Sequence, residues 1–218
     1  MTGLLDRSRR RVVTTGLALV GLSIARPAAA ALFPTSPQTP GPFYPSKIPL
    51  DSDTDLVTVA GRPAPAGGIV THVFGRVLSE DGRPMAGVQV EIWQCDSFGR
   101  YHHPREPRSG ADPNFQGYGR MTVGAEAAYR FRTIKPVPYP SRTPHIHFAV
   151  SGPGMGRLTT QLYIAGEPRN AEDFVLGRLR DPRARQSVIV PFAPAPEIEP
   201  GALTARFDIV LGHNLLKT

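Results

Sequence analysis

The 218-residue chain contains one cysteine, Cys95, so no internal disulfide can form. A disulfide-stapled scaffold is thereby excluded, and stability has to come from packing or from a bound metal. Long apolar runs are also missing. The one candidate, residues 12–25, is interrupted by Gly16 and Gly21 and is too short to span a bilayer comfortably, so no stable membrane span is expected. No internal repeat, low-complexity tract or nucleic-acid motif stands out. With 24 prolines and 22 glycines in the chain there is little room for long helices.

The first thirty residues have the three-part layout of a processing segment: a basic start, an apolar run and the small residues Ala28, Ala29 and Ala30. Ser8-Arg9-Arg10-Arg11-Val12-Val13 resembles the twin-arginine signal that exports folded proteins in bacteria. Residues 1–30 are therefore expected to be a cleaved export leader and the mature protein to be periplasmic or extracellular; the alternative is a basic tail on a cytoplasmic protein. Without the leader, 20 basic residues face 17 acidic ones, a formal charge of +3. The high isoelectric point then gives no argument for a nucleic-acid partner.

The remaining length suits one domain. Residues 31–68 are rich in Pro, Ser, Thr and Asp without apolar period and read as an extended arm; residues 69–218 form the domain. Short β-rich runs separated by turn residues are expected at 69–78, 88–94, 129–134, 145–151, 158–165, 187–192 and 205–211. The fold class is all-β, an antiparallel β-sandwich with long functional loops and at most one short helix, placed at 170–179. The irregular stretch 96–118 is long enough to suggest function.

The densest chemical signal is Pro136-Val137-Pro138-Tyr139-Pro140-Ser141-Arg142-Thr143-Pro144-His145-Ile146-His147-Phe148. On an extended strand, side chains alternate, so His145 and His147 share one face and Ile146 and Phe148 the other. Two imidazoles then point at one spot, with Tyr139 on the preceding loop. A phenol loses its proton near neutrality only beside a strongly charged metal, and a hard phenolate suits ferric iron better than zinc or copper(I).

These residues resemble the intradiol ring-cleavage dioxygenases, and most of all the iron-bearing subunit of protocatechuate 3,4-dioxygenase. The likeness is carried by Glu91-Ile92-Trp93-Gln94 followed by Gly99-Arg100-Tyr101, by Phe131-Arg132-Thr133-Ile134-Lys135-Pro136 leading to Tyr139-Pro140, by Pro144-His145-Ile146-His147-Phe148, by Thr160-Gln161-Leu162-Tyr163 and by Arg206-Phe207-Asp208-Ile209-Val210-Leu211. The resemblance implies a mononuclear, non-haem Fe(III) held by Tyr101, Tyr139, His145 and His147. It implies a catechol such as protocatechuate and O2 as reactants, and a cis,cis-muconate-type diacid as product. Tyr139 corresponds to the ligand that leaves the metal when substrate arrives, Arg142 to a cation beside the ring, and Gln161 to a polar partner of that arginine. Trp93 corresponds to a pocket wall, and Gly41, Pro42 and Phe43 to a loop that closes over the substrate. In the two-subunit enzyme that loop belongs to the partner chain. Here either one chain completes its own pocket or identical chains exchange arms in a homo-oligomer.

Some features depart from the pattern. The loop from Tyr139 to His145 is shorter, and Ser141 stands where protocatechuate dioxygenase has a tryptophan, which implies a wider pocket. No long helical N-terminal segment of the catechol 1,2-dioxygenase kind is present. His72, His102 and His103 match no ligand position, and Cys95 reads as a small buried residue. Two other readings stay open: a non-catalytic, transthyretin-like sandwich that binds a partner, and a zinc or copper hydrolase built on the same histidines.

Overall fold

A computed structural model describes residues 31–216; the expected export leader lies outside them. Alternating apolar residues and frequent turn residues produce ten strands in two five-stranded sheets. In the first sheet, β1 (Val70–Ser79) lies between β4 (Ala128–Ile134) on one side and β9 (Leu203–Arg206) with β10 (Ile209–Leu211) on the other; β8 (Ala193–Pro194) pairs with β9. The second sheet runs β3 (Tyr118–Thr122), β2 (Gln89–Trp93), β5 (His145–Ser151), β6 (Leu158–Ile164) and β7 (Ile189–Val190). The sandwich is all-β as expected and mostly antiparallel, but β1 pairs in parallel with β9 and β10, as does β6 with β7.

One face of each sheet supplies the core. Val73, Val77, Ile92, Phe131, Ile146, Phe148, Leu162 and Phe207 are each at most 1% exposed and form one cluster. Burying a side chain of this size contributes about 1.5–3 kcal/mol. The arm joins this core, because Leu56 and Val57 are fully buried and Leu56 N–H donates to Arg132 O at 2.7 Å.

Three expectations about elements need correction. The run 205–211 is two strands in a common register with β1, interrupted at Phe207 and Asp208. The interruption fits Gly75: any Cβ there would meet the Phe207 carbonyl, which also accepts from the Tyr129 hydroxyl. The helix expected at 170–179 is instead two 3-10 turns, Pro168–Ala171 and Leu176–Arg178, and Phe174 points outward at 56% exposure, which breaks the supposed apolar stripe. The α-helix is α1, Pro182–Gln186, started by Asp181, whose carboxylate accepts from Arg183 N–H. The strand expected at 187–192 is reduced to β7, while β3 forms where the long loop 96–118 ends.

Candidate active site

The second sheet buries both of its faces. On β5, Ile146, Phe148 and Val150 enter the main core, whereas Ala149 joins Trp93, Cys95, Tyr101 and Tyr118 in a separate cluster beneath the loop and the arm. Strand register assembles this second face row by row. Trp93 on β2 pairs with His147 on β5, which pairs with Gln161 on β6, and the next row sets His145 opposite Tyr163.

The two histidines meet as the period-two pattern requires. His145 Nε2 and His147 Nε2 lie 3.2 Å apart and both rings are buried. His145 Nδ1 is 2.7 Å from Thr143 O; the carbonyl can only accept, so Nδ1 carries the proton and Nε2 keeps its lone pair toward the site. His147 is held by Trp93, whose ring stacks on it at 4.8 Å with 3° between planes. Gly41 of the arm presses on the other side: a Cβ there would come within 3.3 Å of His147 Cε1.

Both tyrosines close on this pair. The Tyr139 ring centroid lies 5.4 Å from that of His145, Tyr101 lies 6.4 Å from His147, and the two phenol rings cross edge to face at 5.5 Å. The Tyr101 hydroxyl is buried without a hydrogen-bond partner, as is His147 Nδ1. Burial raises the pKa of both phenols, well above the usual value for Tyr101 and less for Tyr139, where Arg142 opposes it. Burial also pushes His145 down to about 3 and His147 well below its usual value, the latter helped by His145. The protein alone therefore holds neutral phenols and neutral imidazoles, a set of two nitrogen lone pairs and two ionisable oxygens suited to a hard, highly charged cation. Among the described residues no group of three His, Cys, Asp or Glu is arranged to hold a metal ion, so a centre here must recruit the tyrosines.

Arg142 stands beside Tyr139 because residues 139–142 form a tight turn. Arg142 N–H donates to Tyr139 O at 2.9 Å, with Pro140 and Ser141 at the centre. Ser141 adopts φ 62°, the left-handed conformation that a type II turn needs at its third residue. The Arg142 guanidinium is buried. Its Nη1 is 3.5 Å from the Tyr139 hydroxyl, its Nη2 donates to Gln161 Oε1 at 2.6 Å, and its Nε donates to Asp173 Oδ2 at 2.8 Å. Gln161 in turn donates through Nε2 to Thr39 O, tying the arginine to the arm.

The arm covers the centre. Phe43 stacks on Tyr101 at 4.5 Å and meets Tyr139 edge-on at 6.1 Å, whereas Pro42 is exposed at the rim. Tyr44 donates to the buried Glu91 carboxylate at 2.7 Å, as Tyr118 does at 2.6 Å, and Arg157 pairs with the other Glu91 oxygen at 2.8 Å. A cavity of about 260 Å³ lies beside Tyr101, between Phe43, Trp93 and Tyr118, and a cleft of about 410 Å³ lies over Ser141, Arg142 and Phe174. Another cleft, of about 500 Å³, is lined by residues of β1, β4 and β9 and shares none of these side chains.

All ten residues singled out in the sequence lie in or against this one region. The three histidines set aside have other partners: His72 pairs with Glu199 on the other sheet, His102 bonds to Asp112 O at the edge of the cavity beside Tyr101, and His103 accepts from Arg105 N–H and meets Phe43 edge-on. Cys95 is buried, its thiol pushed up to about 12 by burial. Glu91, Tyr44, Tyr163 and Asp173 escaped the sequence reading. A carboxylate between the apolar Val90 and Ile92 of a strand was the available signal for Glu91; nothing comparable marks Asp173.

Comparison with known proteins agrees with this geometry. The model of a family described as dioxygenase matches residues 39–213. The chain is 40% identical over 173 residues to the protocatechuate 3,4-dioxygenase beta chain of Burkholderia cepacia, covering 75% of this chain and 72% of that one. It is 35% identical over 147 residues to catechol 1,2-dioxygenase 1 of Acinetobacter lwoffii, covering 59% of this chain and 43% of that one, so the chain spans less than half of that relative's length. Among solved structures, the dioxygenase domain of a dioxygenase carbohydrate-binding protein fusion from Streptomyces sp. SirexAA-E superposes with a TM-score of 0.62 at 31% identity, covering 83% of this chain and 99% of that one. With a family match over most of its length and relatives named as protocatechuate 3,4- and catechol 1,2-dioxygenases, the chain belongs to the intradiol ring-cleavage dioxygenases, a family of oxidoreductases.

Proposed function

We propose that the protein opens the ring of a catechol between its two hydroxyl-bearing carbons, with O2 and a mononuclear Fe(III) held by Tyr101, Tyr139, His145 and His147, giving a cis,cis-muconate-type diacid. The observation that carries this reading is the convergence of two buried phenols on two imidazole nitrogens 3.2 Å apart, with the Tyr101 hydroxyl left unpartnered. When bound, ferric iron supplies the Lewis acidity that keeps the phenol oxygens deprotonated and lets a catechol bind as its dianion.

The chain's own residues do the rest. Tyr139 is the less buried phenol, and with its own proton displaced by the bound metal its oxygen would take a proton from an arriving catechol hydroxyl. The buried Arg142 guanidinium offers fixed positive charge beside the ring as negative charge moves from oxygen to carbon. Gln161 holds that guanidinium by hydrogen bonding, and Trp93 holds the His147 ring. Gly41, Pro42 and Phe43 wall the pocket and exclude water, and the arm completes the site of its own chain, a reading supported by the Tyr44 to Glu91 contact.

Protocatechuate or a related catechol is the proposed substrate, with Ser141 leaving room for a ring substituent. Residues 1–30 are proposed as an export leader, which makes the mature enzyme periplasmic or extracellular in a bacterium; no helix of the described residues is long and apolar enough to cross a membrane. A partner-binding sandwich has no use for ionisable side chains converging in this way.

Protein purified aerobically is expected to be wine-red from tyrosinate-to-iron charge transfer, to hold about one iron per chain, and to consume O2 with a panel of catechols while forming diacids. Colourless protein that takes up no iron, or iron-loaded protein that forms no diacid from any catechol, would overturn the proposal.

A further inference from the structure

Arg142 is buried, and a guanidinium in that position needs a counter-charge and a fixed orientation. Asp173 provides both. Its side chain is fully buried, and Oδ2 accepts from Arg142 Nε at 2.8 Å and from Thr143 N–H at 3.0 Å. Its other oxygen accepts from Val175 N–H and Leu176 N–H at 3.0 and 2.9 Å, which anchors the carboxylate to the 3-10 turn at Leu176–Arg178.

Five N–H bonds radiate in one plane from a guanidinium. Asp173 occupies the Nε edge, while Gln161 Oε1 and the Tyr163 hydroxyl receive Nη2 at 2.6 and 3.4 Å. Only Nη1 is left, and its contact is the Tyr139 hydroxyl at 3.5 Å. Fixing one edge of a planar fork fixes where the remaining nitrogen points. Backbone capping accounts for the bonds from Thr143, Val175 and Leu176, but both carboxylate oxygens also face the guanidinium, Oδ2 at 2.8 Å from Nε and Oδ1 at 3.5 Å from Nη2.

We infer that Asp173 is a positioning residue for the ring-cleavage reaction: it holds the Arg142 guanidinium so that Nη1 faces the substrate position beside Tyr139. The inference rests on the function proposed above. Asp173 bonds to none of the four side chains proposed to hold iron; its one side-chain partner is Arg142, and its other bonds come from the backbone N–H groups of Thr143, Val175 and Leu176.

The test is a double-mutant cycle with Asp173→Asn and Arg142→Met. Asparagine keeps an oxygen for the turn but sets an amide N–H₂ or a neutral oxygen against Arg142 Nε. Asp173→Asn is expected to lower kcat about 10- to 100-fold with a KM change under about threefold, as for a misplaced preorganised group. In the Arg142→Met background the same substitution is expected to change kcat by less than about twofold. Equal losses in both backgrounds, or unaltered kcat in the single variant, overturn the inference.

A second readout needs neither metal nor turnover, nor a folded variant of Asp173. In ¹⁵N-labelled, iron-free protein, the Arg142 Nε–H resonance, assigned by its loss in Arg142→Lys, should be protected from exchange with water. Free exchange at that proton overturns the inference even where catechol cleavage is intact. A protected proton in a protein that cleaves no catechol leaves the positioning contact standing and removes the reaction it was meant to serve.

Discussion

The two faces of strand β5 are built from adjacent residues, and each is buried, yet they serve opposite ends. Ile146, Phe148 and Val150 fill the main apolar core, whereas His145 and His147 enter a layer with orphaned polar atoms and a buried ion pair. Burial on the first face lowers the free energy of folding directly. On the second it suppresses charge on imidazoles and phenols alike and leaves the chain short of a partner that a cation can supply. Burial alone thus cannot tell a core residue from a site residue; unsatisfied polar chemistry does.

Breaking the core face should give the largest effect. Phe148→Ala is expected to cost about 3–5 kcal/mol of stability, read as a fall in melting midpoint on the order of 10 °C, while the protein that remains folded still binds iron. His147→Ala breaks the other face. It is expected to lower kcat/KM at least about a hundredfold, equivalent to ~2.7 kcal/mol, and to bleach the red colour, yet to destabilise the iron-free protein less than Phe148→Ala does. Metal analysis and calorimetry on the same two samples decide whether the faces separate in this way; full catechol cleavage by His147→Ala would count against the proposed ligand set.

A smaller effect tests whether the arm belongs to the site face. Tyr44→Phe removes the hydroxyl that reaches Glu91 and is expected to loosen the arm by about 1 kcal/mol, raising KM several-fold with kcat nearly unchanged. The smallest effect concerns neither face. Glu199, held by Arg132 and His72 on the other sheet, has its carboxyl pulled from 4.5 to about 2, first by the hydrogen bond from Arg132. A depressed carboxylate contributes stability that is present above its unfolded pKa and is lost as pH falls toward the folded one. The melting midpoint should therefore decline between pH 4.5 and about 2, and less steeply in Glu199→Gln.

What the sequence disclosed follows from what is local. His145 and His147 on one face, with Tyr139 on the proline-rich loop before them, were legible because strand alternation and proline chemistry act over a few residues. The broken strand at Phe207 was not, because its cause is a backbone carbonyl pressed against Gly75, more than 130 residues earlier. Residues 170–179 were misread as a helix because Phe174, Val175, Leu176 and Leu179 mimic an apolar stripe, while the decisive bonds run from Asp173 to a distant arginine. Asp173 itself, 31 positions from Arg142, has no signature that a chain of letters can carry.

The turn at Tyr139 to Arg142 makes a hinge pin of two residues that would otherwise be independent. Because one backbone bond closes it, the stretch of main chain that carries the phenol also sets where the guanidinium starts. A one-residue insertion after Pro140 would leave every side chain of the site present in the gene and still part the two.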